Sequence, residues 1–199
     1  MIDTEKRMVG NYEVISSINI GRKEVFFAID KQNTNGEKYL CGFIERNDLF
    51  ERYSECVLSD DYIEIAKIYG DRISNEAELF KEEVSKLDIP LDVITEDECT
   101  PIKGSDNIQN KIIVINPDVL KPEYQRIDRQ LYLALGGFGT YGNSRGNAVF
   151  CVNLHTGKHT RFERYDILGT MTKEQLPDWA KKGLEEHYRK EKEKNKEAR

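Results

Sequence analysis

No window of this chain approaches the roughly 18 uninterrupted apolar residues of a membrane-spanning helix, and its opening, MIDTEKRMVG, holds no apolar run of secretory type. A cytosolic protein with no membrane partner is therefore expected. Its four cysteines, Cys41, Cys56, Cys99 and Cys151, form no C-x-x-C pair, which argues against a zinc site and supplies no disulfide framework. Free, mostly buried thiols are expected. Histidine is scarce, with three in 199 residues. His155 and His159 flank one turn, but no third ligand stands beside them in sequence, so neither metal nor cofactor is expected. His187 falls on a charged helical stretch and is expected to be solvated.

Nucleotide motifs are missing as well. The run Gly137-Phe138-Gly139-Thr140-Tyr141-Gly142 matches half of a dinucleotide fingerprint, but a strand over Ala148–Leu154 follows it where a helix N-terminus should meet the pyrophosphate. Gly157-Lys158 is no P-loop, because Val152 stands where the first glycine belongs and His159 where Ser or Thr belongs. Kinase elements are also lacking.

What is present is a chain with 38% hydrophobic residues, enough for a core, and an uneven charge. The formal net charge is −6. Residues 45 to 98 hold 17 acidic and six basic side chains, whereas residues 99 to 199 carry 18 basic and 13 acidic ones. An anionic segment can present carboxylates to a basic groove on a partner; Asp60, Asp61, Glu64, Glu82 and Glu83 are the candidates.

The pattern predicts an α+β fold. Tyr12–Ile20 and Lys23–Asp30 read as a hairpin over Gly21-Arg22, and Lys38–Glu45, after the turn signal Asn35-Gly36, completes a three-stranded meander. Two acidic helices follow, one capped by Ser59 and ended by Gly70, the second starting near Ser74 or Asn75 and ending before Pro90. The polar segment Thr95–Asn110 reads as a linker, dividing an N-terminal domain, 1–98, from a C-terminal one, 99–199. In the latter, Lys111–Ile115, Leu131–Leu135, Ala148–Leu154 and His159–Tyr165 are expected to form a small, mainly antiparallel sheet or partly open barrel, with a helix after Pro177.

Five glycines, Gly136, Gly137, Gly139, Gly142 and Gly146, crowd the loop between two of these strands, with Phe138, Tyr141 and Arg145 among them. Such a loop holds an unusual backbone path or lets something approach closely, and it is the expected binding surface. The row His159, Arg161, Glu163 and Tyr165 would project from one strand face, offering the acid, base and phosphate-holding groups of a metal-independent ribonuclease. The same alternation also describes the solvated face of a half-buried strand.

The order IIVINPDVLKPEYQ, QLYLALGGFG, RGNAVFCVNLHTGKHTRFERYDILG and LPDWAKKGL, over roughly residues 111 to 184, resembles a C-terminal module of accessory proteins from conjugative and integrative elements of Gram-positive bacteria. YEVISSINIG resembles the opening of other proteins of those elements. The resemblance implies a mobile-element setting, in which small proteins aid DNA transfer or disarm recipient defences. The expectation is a non-enzymatic inhibitor of a host defence protein or its guide-RNA complex, most plausibly a type II CRISPR nuclease. An RNA-binding or RNA-cleaving protein, or a conjugation accessory module, are the alternatives.

Overall fold

The computed structural model describes residues 6–34, 36–46 and 50–197; the turn residue Asn35 and the first half of the opening segment lie outside them. The fold is α+β, as expected, and the chain divides into unit 1, Met1–Asp88, and unit 2, Ile89–Arg199.

Unit 1 is an antiparallel meander of five strands in chain order, where three were expected: β1 Met8–Val9, β2 Tyr12–Ile20, β3 Lys23–Ile29, β4 Tyr39–Arg46 and β5 Glu51–Ser59. The two central strands are buried on both faces, which is why KEVFFAI reads as a continuous apolar run rather than an alternation. Val25, Phe27, Cys41 and Phe43 face a long helix, while Phe26, Ala28, Leu40 and Ile44 pack with Val9, Tyr12 and Val14 on the other side. The two expected helices are one: α1, Tyr62–Ser85, runs unbroken through Gly70 and past Asn75. Ile65, Ile68, Tyr69 and Ile73 form one stripe across the glycine, and burying that stripe outweighs the roughly 1 kcal/mol that a mid-helix glycine costs.

Glu24, only 4% exposed, sits between Arg7 and Arg46, with Arg7 Nη2 at 3.2 Å and Arg46 Nη1 at 3.3 Å. Burial pushes its carboxyl up, but hydrogen bonds from Arg7 and Ser17 and the charges of Arg7 and Arg46 together hold it below its ordinary value. A depressed folded-state value means the stabilisation is present above the unfolded carboxyl's pKa of about 4.3 and is lost as pH falls through the folded value. Urea denaturation between pH 7 and pH 3 is expected to show unit 1 weakening on the acid side, with a shallower acid-side slope in Glu24→Gln; equal slopes would refute this.

Unit 2 is a second antiparallel sheet, in the order β10-β6-β7-β8-β9, with β6 Ile112–Ile115, β7 Leu131–Gly136, β8 Ala148–Asn153, β9 His159–Glu163 and β10 Ile167–Met171. The sheet is open, with β9 and the unforeseen β10 at its edges. A four-residue α2, Ile127–Gln130, leads into β7, and α3, Asp178–Glu197, closes the chain. Leu176, Ala180 and Leu184, at and just before α3, pack on Ile112, Val114, Leu131, Leu133, Val152 and Leu154. The opposite face buries Ile113, Ile115, Tyr132, Ala134, Val149 and Cys151 beneath Ile108.

The expected linker belongs to this unit. Within it Cys99 enters the helix-side core, Ile108 and half-buried Ile102 the other, and Thr100 bridges Thr170. Polar spacing hides these isolated apolar anchors. All four cysteines are free, three of them buried and Cys56 exposed, and burial pushes the Cys151 thiol up to about 12.

Candidate functional site

The acidic residues of unit 1 have separate local duties. Asp61, not Ser59, caps α1: its carboxylate accepts from the N–H groups of Ile63 at 2.7 Å and Glu64 at 3.3 Å. Ser59 instead donates its hydroxyl to Glu64 Oε2 at 2.6 Å and accepts the Asp61 N–H at 3.0 Å. Asp60, Asp61 and Glu64 thus gather at the helix start, all exposed. Glu82 shares the outward face of Glu64 but lies about 27 Å along the axis at 1.5 Å per residue, with exposed Asp71 and Glu78 on that face between them and Lys67 at its margin. Glu83 lies on another flank, lining a cleft with Arg22, Lys23, Glu76 and Phe80. Of the five carboxylates, Glu83 is the one turned away from the side of α1 that carries Glu64 and Glu82.

On β9, His159, Arg161 and Glu163 do share a face, opposite Val152, Phe150 and Ala148 of β8. Arg161 is hydrogen-bonded to Glu163, so that carboxylate is already engaged. Tyr165 does not continue the row: the strand ends at Glu163, and Arg164–Asp166 form a 3-10 turn that turns the chain into β10. The four-residue strand face expected from alternation is therefore three residues long.

The glycine loop spans the end of the sheet where β7 stops and β8 starts, the same end at which β9 stops. Its glycines serve internal packing. A Cβ on Gly139 would lie 2.1 Å from the Asn147 carbonyl oxygen, and one on Gly142 would lie 2.0 Å from that of Ser105. Gly137 adds a φ of +100°, entering a 3-10 turn over Phe138–Thr140 whose Thr140 hydroxyl donates back to the Gly137 carbonyl at 2.7 Å. Arg164 staples the loop from below, donating to the carbonyls of Gly139 at 2.7 Å, Lys103 at 2.8 Å and Asp106 at 2.9 Å. From the sequence alone Arg164 is one of the basic residues of the second half and no more.

A loop so tightly held can keep apolar side chains out in water, and it does. Phe138 is 74% exposed and Tyr141 46%; at the same end of the sheet Phe150, near the start of β8, is 53% and Tyr165, just past the end of β9, 74% exposed. The Phe150 ring comes within 3.1 Å of where a Gly137 Cβ would stand, and the Phe138 Cβ packs on Gly146. Exposed Arg145 lies in the loop, and Arg161, also exposed, is the cross-strand neighbour of Phe150. Phe150 was not singled out from the sequence, although its place between inward-facing Val149 and Cys151 marks it as outward. Aromatic faces offer stacking surfaces for bases, and guanidinium groups pair with phosphates.

Among the described residues no group of three or more His, Cys, Asp or Glu side chains could hold a metal, and no helix is long and apolar enough to cross a membrane. No family model, curated protein or solved structure matches this chain.

Proposed function

We propose that this chain is a non-enzymatic binding protein of a mobile genetic element, and that the loop end of unit 2 grips single-stranded RNA. The observation that carries the proposal is the set of four exposed aromatic side chains, Phe138, Tyr141, Phe150 and Tyr165, beside Arg145 and Arg161 on a loop pinned by Arg164. Water-exposed rings on a rigid support lose little entropy when a base stacks on them. The arginines supply the phosphate contacts that make such binding salt-dependent. The resemblance to mobile-element accessory proteins favours the guide RNA of a CRISPR nuclease as the target, an RNA whose capture would disarm the defence. Carboxylate mimicry of nucleic acid is the second reading: Glu64, Asp71, Glu78 and Glu82 share one exposed side of α1, whereas Glu83 lies on another flank.

Fluorescence anisotropy with a labelled 12-nucleotide guide-RNA segment tests this. At about 1–3 kcal/mol per stacked base, the double variant Phe138→Ser/Phe150→Ser is expected to weaken binding on the order of 100-fold, and Arg145→Gln/Arg161→Gln to flatten the salt dependence. Unchanged affinity in the aromatic variant would remove the platform, and shortened RNA on a gel, lost in His159→Ala, would remove the non-enzymatic reading.

A further inference from the structure

At the other end of β8 and β9 lies a feature that the platform does not use. The chain's three histidines, distributed over 33 positions of sequence, all line one cleft of about 290 Å³ between the β8–β9 hairpin and α3. His155 and His159 flank the hairpin tip, and His187 comes from the helix together with Glu186, Lys190, Glu191 and Lys194. The cleft exists because of Gly183. There α3 presses against the hairpin so closely that a Cβ would stand 1.8 Å from the Leu154 carbonyl oxygen, and beyond that pivot the two walls part.

One wall is firmly built. His155 lies with Nδ1 3.9 Å from Oδ2 of fully buried Asp128, and its ring meets Trp179 edge-on with centroids 5.6 Å apart. Asp128 is in turn held by Arg126 and Arg129. The hairpin turn is fixed by Asn153, whose Oδ1 accepts from the N–H groups of His155 and Thr156 and whose Nδ2 donates to the Asp128 carbonyl at 2.8 Å. The other wall is adjustable: Lys190 pairs with Glu186 at 2.9 Å and Lys194 with Glu191 at 3.5 Å, both on an exposed helix. Among the described residues the imidazoles of His159 and His187 have no hydrogen-bond partner.

We propose that this cleft is a binding site for a phosphate group, with His155 and His159 donating from the hairpin and His187, Lys190 and Lys194 from the helix. A tetrahedral oxyanion can accept from both walls at once, which a planar carboxylate cannot do as well. The volume is at the lower end for ligand pockets, leaving room for a group attached to the phosphate. Glu186 and Glu191 oppose the anion, and the charge of Asp128 behind His155 is balanced by the two arginines. The site is independent of the aromatic platform, which lies at the opposite end of the same strands.

The test follows the histidine C2 protons by NMR during titration of the full chain. Two probes are used, inorganic phosphate and the dinucleotide thymidylyl-thymidine, which carries a single diester charge. At pH 6 all three imidazoles are expected to shift with at least one probe. Glu186→Gln is expected to bind either probe more tightly. Shifts with both probes assign a diester site, and shifts with phosphate alone a monoester site. His159→Gln/His187→Gln is expected to abolish the response, while Phe138→Ser/Phe150→Ser keeps it, so this site and the RNA platform fail separately. No imidazole shift with either probe at millimolar concentration, or equal binding by the double histidine variant, would overturn the proposal.

Discussion

Asp128→Ala is expected to cost unit 2 about 3–5 kcal/mol, the loss typical of removing one partner from a buried ion pair. The Asp128 side chain is fully buried, accepting from Arg126 Nε at 3.0 Å and Nη2 at 3.4 Å and lying 3.2 Å from Arg129 Nε. Arg126 is itself only 7% exposed, so the variant leaves a charged guanidinium in the interior without its carboxylate. The damage extends beyond the pair, because the same residue's carbonyl receives Asn153 and its carboxylate backs His155. Urea denaturation followed by the single tryptophan, Trp179, which touches His155, reads the loss directly. Replacing both partners by apolar residues, Arg126→Met with Asp128→Leu, is expected to recover most of it, since the desolvation cost disappears with the charges. A loss below about 1 kcal/mol in Asp128→Ala would show that water reaches this pair and that the buried-charge argument fails.

Gly183→Ala is the second large effect, expected at about 3 kcal/mol, the upper end for overpacking. The obstruction is backbone: the added Cβ would lie 1.8 Å from the Leu154 carbonyl oxygen and 2.9 Å from its carbon, so no side-chain rotation relieves it. α3 must move outward, and with it Ala180 and Leu184, which cover Leu131, Leu133 and Val152. The same movement changes the separation of His187 from His155 and His159. The variant should therefore lose both thermal stability and the phosphate response of those imidazoles. An unchanged melting temperature would mean that α3 is held less closely than its core contacts indicate.

Much of the fold was legible because its signals are local. The hairpin over Gly21-Arg22 and the β8–β9 hairpin at Thr156-Gly157 have turn residues with positive φ at Gly21 and Gly157, as their sequences indicate. The spacing of Ala180, Leu184 and Tyr188, with Trp179 close to that face, likewise marks the last helix, though Tyr188 stays exposed while the others pack inward. The glycine loop was visible as a surface but misleading as to cause: the glycines admit neighbouring carbonyls, and the outward side chains between them carry the chemistry.

Errors arose where a local signal competed with a distant partner. Gly70 reads as an end and Ser74 or Asn75 as a start, yet the apolar stripe that crosses them is buried against strands from elsewhere in the chain, and that burial decides the helix. Tyr165 matched the alternation of β9, but its backbone had already turned at Glu163. Composition and periodicity alone determined that this chain is α+β, with paired strands, a late helix and an aromatic loop rich in glycine. Which charges gather, which rings stay in water and which histidines meet was decided only by tertiary packing, because each depends on residues brought together across dozens of sequence positions, where no repeat or spacing carries the information.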